Sequence, residues 1–299
     1  MSILITQFFN GLSLGSVMLL IALGLAITFG LMGVINMAHG ELIMVGAYMT
    51  YVIQQMFAKY LPSSIDYYYF LAIPVAFFVS AFIGWVLEKW LIQYLYHRPL
   101  DSLLATWGVS LILQQMARSI FGAPNVAVLS PSWLEGGVNF AGIVFPYKRL
   151  FILLFVLVCM LILYFYLNKT PAGRRMRAVT LNRDMASCLG ISSRKVDAYA
   201  FAIGSGFAGL AGCALTLLGP IGPTIGTYYI VDAFMVVILG GVGKLIGTIF
   251  GAFGIGLVST LTEYSTSTTM AKVVIFAMII AFLQWKPSGL VSVKTRSLD

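Results

Sequence analysis

Charge is what this chain lacks most. Only 9% of its 299 residues are Asp, Glu, Lys or Arg, and none of these precedes Glu41. A soluble domain carries roughly 25% charged residues, so a chain this poor in charge cannot coat a water-facing surface. Histidine is as scarce, with His39 and His97 the two present. No H-E-x-x-H motif occurs, and the order His39-Gly40-Glu41 does not bring both side chains to one helical face as a metal pair requires. Motif absence therefore argues against an intramembrane enzyme. Cysteine is equally uninformative: Cys159 and Cys213 fall in apolar stretches and Cys188 in a basic one, with neither a disulfide framework nor metal spacing. The first residues lack the basic region of a signal peptide, so the first apolar run reads as a retained span.

What fills the chain instead is apolar sequence, 60% of it hydrophobic with a mean hydropathy of +0.96. A helix needs about 20 apolar residues to cross a bilayer. Charge-free windows that meet or approach this length run through 10–30, 42–58, 67–87, 102–117, 150–168, 198–218, 245–262 and 273–285. Two segments are irregular. Residues 30–41 contain Gly30, Gly33 and Gly40, and residues 219–243 contain Gly-Pro pairs ahead of an Asp-led apolar run, so both read as broken or re-entrant elements. No long polar segment remains for a soluble module. The expected fold is an all-α polytopic membrane protein of about eight to ten transmembrane or re-entrant helices, with 1–299 forming one transmembrane domain. Glycines recur at helix-packing intervals, as at Gly11 and Gly15, at Gly204, Gly206, Gly209 and Gly212, and at Gly243, Gly247 and Gly251. In lipid such small-residue faces let helices touch closely.

Ten of the 18 basic residues behind the net charge of +8 fall in two segments. Lys169, Arg174, Arg175, Arg177, Arg183, Arg194 and Lys195 share the segment 168–197, and Lys286, Lys294 and Arg296 lie in the tail. Basic residues packed into short segments beside apolar spans mark cytoplasmic loops. Nucleic-acid binding would interleave basic with aromatic residues on an exposed face, a pattern missing here. With 168–197 cytoplasmic, alternation puts 122–148 and the polar "EYSTSTTM" at 263–270 outside, the C-terminus inside and the N-terminus outside. The prolines Pro124, Pro131 and Pro146 suit an irregular loop over 122–148.

Three motifs bear on chemistry. "LGGVGKLIGT" at 239–248 resembles a phosphate-binding loop, but the Walker pattern requires glycine where Ile238 stands and a hydroxyl where Leu245 stands. It reads as a helix break, with Lys244 snorkelling to the cytoplasmic interface. "GVINMAHGELIMVGAY" at 33–48 sets Asn36, His39 and Glu41 in apolar surroundings. An ionisable group at membrane depth costs at least about 2.5 kcal/mol and tends to face protein or a wet cavity. Glu41 also suits a helix cap and Asn36 a turn, and both roles are compatible with a helix broken beside a solute path. Asp232 poses the same question in the second irregular segment, as a counterpart of Glu41. In the basic loop, Thr170 and Pro171 are expected to start a short helix. In "LNRDMASCLGI", Leu181, Met185 and Leu189 fall at i, i+4 and i+8, with Arg183, Asp184 and Ser187 elsewhere and Gly190 as a stop. Such an amphipathic helix could dock in a partner's groove or lie on lipid headgroups.

"NGLSLGSVMLLIALGLAITFGLMGVINMAHGELIMVGAY" resembles the opening of permease subunits of branched-chain amino-acid-type ABC importers. "RPLDSLLATWGVSLILQQMARSIFGAPNVAV", "RAVTLNRDMASCLGI", "YIVDAFMVVILGGVGKLIGT" and "QWKPSGL" resemble the urea and short-chain-amide branch of that family. The resemblance covers nearly the whole chain. It implies a permease subunit of the bacterial cytoplasmic (inner) membrane that encloses a path with a second, related permease. It further implies two cytoplasmic ATPases, which use ATP and Mg while this chain binds no cofactor, and an external solute-binding protein. Asn182–Gly190 then matches the family's coupling segment, and Asn36, His39, Glu41 and Asp232 become candidates for the path. Urea, small and neutral, fits a path of neutral polar groups and carbonyls. Branched-chain amino acids as cargo, and a passive urea or ion channel, remain as alternatives.

Overall fold

The computed structural model describes residues 2–96, 98–140, 143–287 and 289–291. His97, Lys294 and Arg296 lie outside the described residues. Among the described residues, eleven α-helices follow one another: α1 (Ser2–Met32), α2 (His39–Tyr60), α3 (Tyr68–Trp90), α4 (Pro99–Phe121), α5 (Tyr147–Lys169), α6 (Pro171–Leu181), α7 (Arg183–Cys188), α8 (Ser193–Leu215), α9 (Ile225–Gly240), α10 (Leu245–Ser265) and α11 (Thr268–Trp285). Each of the eight apolar windows falls mainly in its own long helix, with 67–87 starting one residue before α3 and 198–218 running past the end of α8 at Leu215. Among the described residues, six helical stretches, those of α1, α3, α5, α8, α10 and α11, are both long and apolar enough to cross a membrane. The chain is an all-α polytopic membrane protein.

One departure from the all-helical expectation lies between α4 and α5. The loop over 122–148 is not irregular throughout: β1 (Gly137–Phe140) and β2 (Ile143–Pro146) pair antiparallel, with Gly137 opposite Pro146. Val138, Val144 and Phe145 carry the β-branched or aromatic side chains that strands favour, a signal the prolines obscured. A bridge between Val126 and Ile221 ties this loop to the segment before α9.

Packing centres on α1 and α8, the most enclosed spans. Their contacts rest on small residues. Gly24 of α1 meets Gly204 of α8, and Gly15 meets Ala252 and Phe253 of α10. A Cβ at Gly46 of α2 would run into the backbone of Gly209 on α8, so the two helices approach as closely as backbones allow. Gly46→Val is therefore expected to lower stability by roughly 1–3 kcal/mol through overpacking. Thermal unfolding in detergent checks this, and an unchanged midpoint would mean that the helices part without loss. Around this centre, α4, α5 and α11 turn apolar side chains such as Ile112, Ile162 and Ile280 outward.

Both irregular segments are helix breaks. α1 ends at Met32, Gly33 takes a left-handed φ of 64°, and α2 begins only at His39. His39 Nε2 lies 3.3 Å from the carbonyl of Ile21, which is about 16 Å back along α1 from its end at 1.5 Å per residue. The chain has thus re-entered the bundle before α2 starts. α9 has 16 residues, about 24 Å of helix, less than the roughly 30 Å core of a bilayer. Its first turn meets the first turn of α2, where Gly226 and Gly40 press backbone to backbone. The bundle interior therefore holds a meeting point of two helix N-termini.

Candidate translocation site and coupling end

α4 covers this meeting point with an unusual face. Ser102, Thr106, Ser110 and Gln114 recur every fourth residue and are all buried, whereas Leu104, Trp107 and Leu111 on the other faces are exposed. A helix polar inside and apolar outside suits lipid on one side and a polar interior on the other. Glu41 Oε1 accepts hydrogen bonds from Ser110 Oγ at 2.9 Å and from Gln114 Nε2 at 2.8 Å. Gln114 Nε2 also lies 3.1 Å from Thr227 Oγ1 in the first turn of α9. Thr106 Oγ1 accepts from the backbone N–H of Met37 at 3.1 Å. One carboxylate thus joins α2, α4 and α9.

The sequence left capping and path roles open, and the geometry separates them. Asn36 holds the turn ahead of α2, its Oδ1 accepting from the Ala38 N–H at 3.0 Å, while the cap position, Ala38, has no side-chain cap. Glu41 stands in the first turn of α2, where its charge offsets the helix dipole, but its hydrogen bonds reach across to α4. Because a carbonyl only accepts, the contact with Ile21 places the proton of His39 on Nε2 and leaves Nδ1 a bare acceptor. Among the described residues, Asn36 Nδ2, His39 Nδ1 and Glu41 Oε2 are buried without a hydrogen-bond partner. Three unsatisfied polar atoms thus fall within six residues of the chain, with His39 turned to α1 and Glu41 to α4.

Asp232 does not join this cluster. It lies on another face of α9, buried, with Lys272 Nζ of α11 at 3.4 Å from its Oδ2. Its role as counterpart of Glu41 finds no geometric support, since Glu41 stands in the first turn of α2 and α9 has no acidic residue in its first turn. Ser110, Gln114 and Thr227 were missed in the sequence. The four-residue polar period of "SLLATWGVSLILQ" was the available signal for the first two, and nothing in the sequence pointed to Thr227.

At the end where α1 stops, the basic loop forms two short helices. Thr170 caps α6, its Oγ1 accepting from the Gly173 N–H at 3.1 Å. Leu181, Met185 and Leu189 do not share one helix as their spacing suggested, because the chain breaks at Asn182. Asn182 Oδ1 accepts from the Met185 N–H at 2.9 Å and so caps α7. Gly190, with φ at 79°, ends the segment. All three apolar residues are nonetheless exposed, Leu181 at 86%, Met185 at 60% and Leu189 at 74%. Asp184 lies in the first turn of α7, where a carboxylate favours the helix dipole. Arg183 anchors α7 from behind, pairing with buried Asp197 of α8 and lying 5.2 Å over the ring of Tyr96. Tyr96 in turn donates to Glu88 of α3 at 2.5 Å, and burial together with Glu88 raises its phenol so that it stays a donor. Lys244 does not snorkel freely: its Nζ donates to the Val291 carbonyl at 2.6 Å.

Re-entrant helix starts, a polar cluster turned inward and exposed apolar residues at one end together define a multi-pass membrane protein with an interior suited to polar solute. The chain belongs to the branched-chain amino acid transport system / permease component family, whose profile matches residues 7–283. It is 33% identical over 295 residues to the high-affinity branched-chain amino acid transport system permease protein LivH of Salmonella typhimurium, covering 95% of this chain and 94% of that one. It is 28% identical over 296 residues to the permease protein BraD of Pseudomonas aeruginosa, with the same coverage. The ribose import permease protein RbsC of Bacillus subtilis matches 132 residues at 30% identity, 42% of this chain and 41% of that one. No solved structure matches. The chain is a transport permease component of the inner membrane and not an enzyme. Among the described residues, no group of His, Cys, Asp and Glu could hold a metal ion.

Proposed function

We propose that this chain is one permease subunit of an ATP-driven ABC importer for branched-chain aliphatic amino acids. The observation that carries the reading is the end-to-end similarity to LivH, a permease named for that cargo. The resemblance to the urea branch has no such counterpart among these relatives, so the amino-acid alternative takes precedence. In this reading the whole chain acts as a single transmembrane domain beside a second, related permease. Two ATPases, which consume ATP and Mg, grip the loop 168–197 in the cytoplasm through Leu181, Met185 and Leu189. A solute-binding protein delivers cargo from the opposite side, where the N-terminus lies. Asn36, His39 and Glu41 line the path at mid-depth, with Asp232 further along α9.

Uptake of labelled leucine and labelled urea, in cells with and without this chain, tests the reading. Leucine uptake is expected to fall when the chain is removed while urea uptake persists. The reverse pattern restores the urea reading and removes this one.

A further inference from the structure

At the end of the molecule opposite α7, the first turns of α1 and α5 and the last turns of α10 surround a cavity of about 440 Å³, with Tyr229 of α9 in its wall. This volume lies within the roughly 300–1,000 Å³ of small-ligand sites. Among the described residues, its lining holds one cation and one anion, Arg149 and Glu263. Arg149 stands in the first turn of α5, half-buried at the head of an apolar span, where an unpaired charge is unfavourable. Its Nη1 donates to Asn10 Oδ1 at 2.7 Å, which orients the guanidinium without neutralising it. Among the described residues no carboxylate lies within ion-pair distance of it. Glu263 is equally without a basic partner there, and its Oε1 accepts only from Thr268 Oγ1 at 2.6 Å. The two charges line one cavity yet do not pair with each other.

We infer that this cavity receives the α-amino-acid zwitterion before it moves inward, an assignment that rests on the amino-acid reading above. Arg149 takes the α-carboxylate, for which a planar guanidinium offers two parallel donors. Glu263 takes the α-ammonium, and Leu14 and Leu218 supply apolar wall for an aliphatic side chain. A neutral solute such as urea has no use for either charge. α9 stands between this cavity and the inner cluster: Tyr229 lines the cavity, and Thr227, two residues earlier and so on another face, contacts Gln114 beside Glu41.

The test uses the assembled importer in nanodiscs, without binding protein, and labelled L-leucine as the probe. Arg149→Gln is expected to weaken leucine binding about tenfold, the size of a lost charge-assisted contact. Arg149→Lys should recover part of that loss, and leucinamide, which lacks the carboxylate, should compete poorly on the wild type. In proteoliposomes with binding protein, Arg149→Gln should raise the KM for leucine by a similar factor. If Arg149→Gln does not accumulate, Glu263→Gln carries the same test through the ammonium. Leucine binding and KM left at wild-type values, in an importer that transports leucine, overturn this site alone. A wild-type importer that carries urea but no leucine overturns the substrate reading, and this site with it.

Discussion

Glu41→Ala is expected to reduce leucine uptake about tenfold or more at matched expression, the effect of roughly 1.4 kcal/mol or greater. The carboxylate is 1% exposed and holds Ser110 of α4 directly and Thr227 of α9 through Gln114. Its removal leaves buried donors unpaired, at about 1–3 kcal/mol each. Glu41→Gln separates charge from shape, since the amide keeps one acceptor for Ser110 or Gln114 but cannot hold a cationic group at the unpaired Oε2. A role in the path predicts that Gln also impairs uptake with little change in thermal stability. His39→Ala should also impair uptake, compared at matched amounts of folded protein because it empties a fully buried site and leaves the Ile21 carbonyl without its donor. Full uptake in Glu41→Gln and His39→Ala would reduce the cluster to a packing device.

Met185→Asp and Leu189→Asp are expected to abolish energised uptake while the chain still inserts. Both side chains are exposed, at 60% and 74%, on a segment tied through Arg183 to α8 and to Tyr96, and through Tyr96 to α3. Exposed apolar side chains on a rigidly held helix suit a partner's groove, and a buried carboxylate in that groove costs several kcal/mol. ATPase co-purification should fall in parallel with uptake. Mutants that keep both would return this helix to the lipid surface. Coupling would run from α7 along α3 and α8, whose contact at Gly84 and Ser205 is close enough to transmit small shifts.

The architecture was legible because apolar runs in a chain without charge have few other uses. The breaks at Gly33 and before Ile225 were legible too, since glycine and proline cannot sustain a span there. Glu41 could be singled out for its rarity, but its partners could not. Ser110 and Gln114 are 69 and 73 residues away, and only the tertiary fold brings α4 to α2. The coupling segment failed in a different way. A spacing of four suggested one helix through Leu181, Met185 and Leu189, yet Asn182 competes for the backbone N–H of Met185 and starts a new helix. Strand pairing at Gly137–Pro146 was hidden for a similar reason, with prolines read as breakers where one of them closes a hairpin strand.

ATP-dependent uptake of labelled leucine by the reconstituted complex, set beside flux through this chain alone, tests the central claim most directly. The account predicts accumulation against a gradient when the ATPases, second permease and binding protein are present with ATP, and no flux through the isolated chain. Leucine or urea crossing through the isolated chain down a gradient would contradict it.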